Sequence, residues 1–393
     1  MVSRRGLLFQ GAAAPFMLRD PGNAVAAAPR ALPSLKGAAE RIGLAIGSDS
    51  DVDFRKAPPA YLELFIAQCG LYAGLFDWRD GCHRPNDPCL ADGDPNTATA
   101  LARGLRLSGG HLMWHGTTPG WFGDGGSASL ATEAMLRHVT GLVRRYAGRV
   151  YSWNVFNEVF NPREGRPDGL RGTPALRALG PDHFDAAFRA ARAADPAALL
   201  VLNEYALEMA TDEHEAKRAA LLRWLDKMQR RGTPIDAVGV QSHLKLDGSR
   251  FDPELFRRFL RDIAARDLRI LITELDVLDL ATRGSEAKRD AAVASLYGEY
   301  LRTALDEPAV AAVVIWGLSD RYTWLTPQND ARFARADGQP ARPLPFDADF
   351  QPKPAFHAII DALAHAPQRA SVRQPPSGRS GQADGPEHPQ QRE

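Results

Sequence analysis

The sequence predicts an α/β fold, a closed (β/α)8 or TIM barrel, from three observations. Short β-branched or apolar runs alternate with longer stretches of helical periodicity between residues 35 and 365, about eight such runs occur, and several end on polar residues. The alternation is the signature of βα units around a parallel sheet, and eight is the number that closes a barrel. A doubly wound open sheet shares the alternation but carries a phosphate-binding glycine turn after its first strand. Gly43 and Gly47 are not followed by one, and Gly123-Asp124-Gly125-Gly126 opens no dinucleotide-binding helix and reads as a loop.

The chain begins Ser3-Arg4-Arg5-Gly6-Leu7-Leu8, continues apolar through Leu18 and reaches Ala24-Val25-Ala26-Ala27-Ala28-Pro29. This is the layout of an export signal, with paired arginines of the twin-arginine route, so residues 1–29 are expected to be removed on the way to a periplasm or the exterior. Arg19-Asp20 interrupts the apolar stretch, and a merely basic terminus is the alternative. The barrel is expected over 30–365. Its strands fall in 42–46, 71–76, 105–114, 150–156, 199–203, 237–241, 270–275 and 310–316, with amphipathic helical segments such as 186–192 and 219–225 between them. From 366 to 393 the chain is rich in Pro, Gly, Ser, Gln and charge, which predicts a disordered tail. Of three cysteines, Cys82 and Cys89 flank a His-Arg-Pro-Asn-Asp-Pro turn that an oxidising compartment would let them close; two unrelated thiols fit equally.

Composition narrows the partners. Lys plus Arg and Asp plus Glu are both 48, which gives no positive field for nucleic acid, and no later segment has the roughly 18 apolar residues of a membrane span. No dedicated ligand spacing marks a metal site, and no cofactor motif is present. A neutral substrate suits this balance, and the chain is expected to act as a monomer.

In barrels the reacting groups sit at the C-terminal ends of strands. The fourth run closes on Asn157-Glu158, the fifth on Asn203-Glu204-Tyr205, the sixth on Gln241-Ser242-His243, the seventh on Glu274-Leu275-Asp276 and the eighth on Trp316-Gly317-Leu318-Ser319-Asp320. Side chains two apart on a strand share a face, so Gln241 with His243, and Glu274 with Asp276, put a histidine beside two carboxylates. Any one of these residues alone is better read as solvated or capping. Together they supply what glycosidic cleavage needs: a protonated carboxyl for the leaving oxygen and a carboxylate to attack the anomeric carbon, parts that Glu158 and Glu274 fit.

At these residues the sequence resembles glycoside hydrolase family 10, the endo-1,4-β-xylanases. Arg145-Tyr146-Ala147-Gly148-Arg149-Val150-Tyr151-Ser152-Trp153-Asn154-Val155-Phe156-Asn157-Glu158 is similar to the family's acid/base strand, with Trp-Asn for its usual Trp-Asp. Val240-Gln241-Ser242-His243-Leu244, Ile272-Thr273-Glu274-Leu275-Asp276-Val277 and Ile315-Trp316-Gly317-Leu318-Ser319-Asp320 with Tyr322-Thr323-Trp324-Leu325 resemble its sixth, seventh and eighth strands. The resemblance implies Glu158 as acid/base, Glu274 as nucleophile, Asn157 as donor to the sugar 2-hydroxyl, and His243 as the orienting partner of Glu274 with Asp276 behind it. It implies sugar contacts from Trp114, His115, Tyr205, Gln241, Trp316 and Trp324. The fit is partial earlier in the chain. Trp114-His115 matches, but Gly110 stands where the family has a histidine, with His111 next to it. With Trp78 aligned to the family's tryptophan, Ala73, Gly74 and Asp77 replace its Glu, Asn and Lys. Trp78 and Asp77 are therefore candidate sugar contacts on a remodelled non-reducing side, which suits a decorated or different β-glycoside. A transglycosidase, an exo-acting glycosidase and a non-catalytic glycan-binding protein are the alternative readings.

Overall fold

A computed structural model describes residues 32–369 apart from 77, 82, 85–94 and 123–126, so the segment expected to be an export signal, the expected Cys82–Cys89 bridge and Asp77 lie outside the described residues. Eight barrel strands run β1 (Ala45–Ser48), β2 (Leu71–Leu75), β3 (Arg106–Gly110), β4 (Val150–Asn157), β5 (Leu199–Glu204), β6 (Ala237–Val240), β7 (Arg269–Leu278) and β8 (Val310–Ile315). Each pairs in parallel with the next, and β8 returns to β1 through Ala45 opposite Ala312, which closes the sheet. Two short extensions, Met113–Trp114 and His243–Lys245, carry the chain further along β4 and β7 at the mouth of the barrel.

The first strand starts later than the expected 42–46. Gly43, at φ 72°, instead closes the helix Leu35–Glu40 by donating to Glu40 O. The left-handed turn divides one apolar run between a helix end and a strand. Close approach of β1 to β2 also demands glycine at 47, where a Cβ would lie 2.2 Å from Leu71 O.

Alternation along the strands builds two apolar layers. Leu71, Ala73, Tyr151, Val201, Ala237, Leu271, Ala312 and Val314 fill the barrel interior, while Ile46, Tyr72, Leu107 and Val238 point outward into the helical ring. The helices reach that ring with apolar stripes. In Asp212–Arg230, Ala220, Leu221, Trp224, Leu225 and Met228 are buried, Thr211 accepts from His214 N as N-cap, and Asp212, Glu213 and Glu215 occupy the positive end of the helix dipole. The two amphipathic segments expected from sequence lie inside His183–Ala194 and Asp212–Arg230. The chain stays attached past the last helix, Pro354–His365: Arg369 N donates to Ile42 O, and its guanidinium donates to Val310 O and Leu305 O at 2.8 Å each. Residues 366–369, which the sequence reading assigned to the tail, are thus held against the barrel, and 370–393 lie outside the described residues. Among the described residues no helix is long and apolar enough to cross a membrane.

Candidate active site

A cleft of about 1260 Å³ opens at the C-terminal mouth of the barrel and is lined by Trp114, Asn157, Glu158, Tyr205, Gln241, His243, Glu274, Asp276, Trp316 and Trp324. Ten of the residues expected from sequence are thus brought together. Two others are not. Trp78 is fully buried, stacked on His138 at 4.9 Å and edge-on to Phe122, because the short helix Trp78–Gly81 turns the indole inward; it is a core residue. His115 is partly buried behind Trp114, at 5.9 Å between rings, and is not part of the cleft wall.

Glu158 follows the last residue of β4 in the left-handed region, φ 58°, a conformation costly for a non-glycine residue. Its backbone is held from both sides: its N–H donates to Asn203 O at 2.9 Å, and Arg171 Nε donates to its carbonyl at 2.9 Å. The carboxylate accepts from Trp114 Nε1 (3.1 Å) and Gln241 Nε2 (3.2 Å), both neutral donors.

Glu274 sits where β7 bulges against β8, the pairing stepping from Val313–Ile272 to Ile315–Leu275. A bulge re-aims a side chain, and here it turns Glu274 into the cleft. Glu274 Oε1 accepts from Asn203 Nδ2 at 2.8 Å, and Oε2 from His243 Nε2 at 3.1 Å. His243 Nδ1 donates to Asp276 Oδ2 at 3.0 Å, and Asp276 Oδ2 also accepts from Trp324 Nε1 at 2.8 Å. Burial alone would depress the His243 imidazole, but the charge and hydrogen bond of Asp276, with those of Glu274, raise its pKa well above the ordinary value. Burial likewise pushes the Glu274 carboxyl up. The hydrogen bond and charge of His243, helped by His111 and Asn203, outweigh it and hold Glu274 below the usual carboxylate range.

Asn203 ties the two glutamates into one network, a role the sequence did not single out. Its Nδ2 donates to Asn157 Oδ1 (2.9 Å) as well as to Glu274, and its Oδ1 accepts from Thr273 Oγ1 (2.7 Å), which fixes the amide orientation. Gln241 Nε2 also reaches Asn157 Oδ1 at 3.2 Å. With that oxygen doubly engaged, the Asn157 amide hydrogens have no protein partner among the described residues and remain for a ligand. Tyr205 is fixed by Arg171 Nη2, which donates to its hydroxyl at 2.8 Å, and by Lys217 Nζ, 3.2 Å over its ring and itself paired with Glu204 at 2.7 Å. Arg171 and Lys217 had no sequence signal beyond their charge. Among the described residues no group of three or more His, Cys, Asp and Glu could hold a metal ion.

The arrangement can hold one carboxylate ionised beside a second that carries no cationic hydrogen-bond partner, under aromatic walls. The glycosyl hydrolase family 10 model matches residues 85–362. Endo-1,4-β-xylanase 3 of Hypocrea jecorina is 32% identical over 273 residues, covering 69% of this chain and 68% of its own, and endo-1,4-β-xylanase B of Thermotoga neapolitana is 28% identical over 84% of this chain and 91% of its own. The crystal structure of xylanase 10B from Thermotoga maritima superposes with a TM-score of 0.72 at 26% identity, over 84% of this chain and 98% of that one. Matched over this span in sequence and over most of its length in structure, the chain belongs to glycosyl hydrolase family 10.

Proposed function

We propose that the protein hydrolyses β-1,4-xylan or a related plant β-glycan internally and with net retention. Glu274 attacks the anomeric carbon as Glu158 gives its proton to the departing glycosidic oxygen, so one C–O bond breaks as the glycosyl ester forms. Glu158, now a carboxylate, takes a proton from water, which attacks the same carbon; the ester bond breaks and Glu274 is freed. Asn157 donates its amide hydrogen to the 2-hydroxyl, and Trp316 and Trp324 give the ring an apolar wall. The observation that carries this reading is the ionised Glu274, held by the His243–Asp276 pair and linked through Asn203, Asn157 and Gln241 to Glu158. Relatives named as endo-1,4-β-xylanases support the substrate class, as does a Thermotoga petrophila xylanase 10B solved with xylobiose, with a TM-score of 0.72 and 26% identity.

On the β2 side of the cleft stands an exposed Leu75 beside Gly110 and His111. This favours a decorated xylan or a related β-glycoside over plain xylan. Export by the twin-arginine route and action as a monomer complete the proposal. The test is incubation of the mature protein, Glu158→Ala and Glu274→Ala with xylan, arabinoxylan, glucuronoxylan, β-glucan and an aryl β-xylobioside, following reducing ends and the first anomer released. Release of the β-anomer, lost in both variants, is expected. Release of the α-anomer, or glycan binding without cleavage that survives Glu274→Gln, overturns the mechanism.

A further inference from the structure

In the proposed mechanism the reacting sugar rests against Trp316 and Trp324, which follow β8, and its bond to the leaving sugar lies at Glu158, just past β4. The leaving chain therefore runs past Tyr205 toward the loops that follow β4 and β5. Arg163, Met209, Glu213 and His214 line the cleft there. Arg163 pairs with Glu213 at 2.7 Å and ties the turn Pro162–Glu164 to the first turn of the helix Asp212–Arg230. The loop between Tyr205 and that helix is pinned along its length. Arg218 Nη1 donates to Leu207 O at 2.8 Å and to Met209 O at 3.0 Å, the Glu208 carboxylate accepts from Leu207 N and Ser242 N at 2.9 Å each, and Ala210 N donates to Arg250 O at 3.0 Å.

Met209 N, held in this way, donates to His214 Nδ1 at 3.0 Å, and Thr211 Oγ1 accepts from His214 N at 3.3 Å. An imidazole that accepts at Nδ1 is neutral and carries its proton on Nε2. Burial agrees with this state, since it lowers the ring's pKa against the charges of Glu208 and Glu213. Glu208 Oε2 is 3.7 Å from Nδ1, beyond a hydrogen bond, and is engaged by Leu207 N. The His214 Nε2–H has no protein partner among the described residues, on a side chain only 16% exposed that lines the cleft. Holding the Met209 amide needs Nδ1 alone. The second nitrogen is a donor already oriented, so a hydroxyl that meets it binds at little cost in ordering entropy. We propose that His214 is a specificity-determining residue of a leaving-side subsite, its Nε2–H donating to a hydroxyl of the sugar chain that departs. The pinned Met209 amide is its positioning group. The inference rests on the hydrolase reading above.

The test compares wild type, His214→Asn and His214→Gln on an aryl β-xylobioside, which has no sugar on the leaving side, and on xylotetraose and xylohexaose, which do. Asparagine keeps an acceptor at the place of Nδ1 and loses the donor, whereas glutamine carries a donor toward the place of Nε2 and gives up the bond to Met209 N. For His214→Asn the loss in kcat/KM on the oligosaccharides should exceed that on the aryl glycoside by about threefold to tenfold, the size of one hydrogen bond between neutral groups. His214→Gln should recover part of that difference, and thermal unfolding midpoints should show all three proteins folded at the assay temperature. Equal losses on both classes of substrate, a selective loss larger for glutamine than for asparagine, or no loss at all assign His214 only the structural part of holding Met209 and overturn the proposal while leaving the hydrolase reading in place. A wild type inactive on every glycoside tested overturns the hydrolase reading and the subsite with it.

Discussion

Replacing Arg171 by methionine keeps an apolar stem in place of the arginine's while removing the two bonds by which it reaches the candidate site, to Glu158 O at 2.9 Å and Tyr205 Oη at 2.8 Å. Hydrogen bonds from a charged donor contribute roughly 1.5–3 kcal/mol each, and for a partly exposed guanidinium the lower end applies, so the pair is worth about 3 kcal/mol. The left-handed Glu158 backbone stores strain of order 1–3 kcal/mol, and loss of the clamp on its carbonyl lets the residue relax toward ordinary φ. If about half of the lost interaction is felt at the reacting bond, kcat falls about tenfold, since about 1.4 kcal/mol is a factor of ten. The signature lies in the leaving group. Under the proposed mechanism Glu158 gives its proton to the departing oxygen, so misplacing it should slow unactivated xylo-oligosaccharides far more than dinitrophenyl glycosides, whose aglycones leave without protonation. Steady-state kinetics on both classes, with thermal unfolding as control, measure this directly. Equal losses on both classes, or none on either, would refute the idea that Arg171 acts through the placement of Glu158.

His243→Gln should alter stability in a pH-dependent way. A raised histidine pKa stabilises the fold fully below the unfolded value of about 6.5 and loses that contribution as pH rises through the folded value. The lowered Glu274 contributes above its unfolded value and loses its contribution as pH falls through the folded one. The wild-type advantage, from denaturant unfolding across pH, should therefore be widest between about 4.5 and 6.5 and narrow on both sides; a constant gap would contradict the ion-pair account. Trp78→Ala should cost about 3–5 kcal/mol of stability, read from the denaturant midpoint, with KM unchanged in the folded fraction. A weakened KM with intact stability would return the indole to the cleft. Gly110→Ala should destabilise by about 1–3 kcal/mol through overpacking against Asn154, and Asn154→Gly in the same chain should recover most of it; additive losses would show that the contact is not the cause.

The parts of the site legible in the sequence are polar residues that interrupt or close apolar runs. Glu158, Glu274 and Asp276 stand where apolar runs stop, and a carboxylate at such a place has few reasons to be there except reaction or solvation. Gln241 and His243 were expected on one face because they are two apart, and both do reach the cleft. The strand itself ends at Val240, however, and Ser242 takes φ 68° before the chain resumes at His243, so strand alternation was only part of the reason. What the sequence hid depends on partners distant in the chain. Asn203 matters because Thr273, 70 residues away, fixes its amide, and nothing in a local period marks that pairing.

Trp78 shows the same limit from the other side. After an apolar strand a tryptophan serves equally as a sugar platform or as core, and the choice is made by His138, which offers a stacking face from the helix Ala128–Arg145. Glu158 is the sharpest case. Local preference argues against a left-handed glutamate, yet the turn aims its carboxyl into the cleft, and the surroundings, Asn203 O and Arg171 Nε, hold it there. A sequence rule fails at such a residue because function needs a conformation that the residue itself disfavours, so the groups that enforce it lie elsewhere in the chain. The candidate pair and the His243–Asp276 support of Glu274 are therefore readable from the places where apolar runs stop, while Asn203 and Arg171, which link and hold the pair, become visible only when the barrel closes.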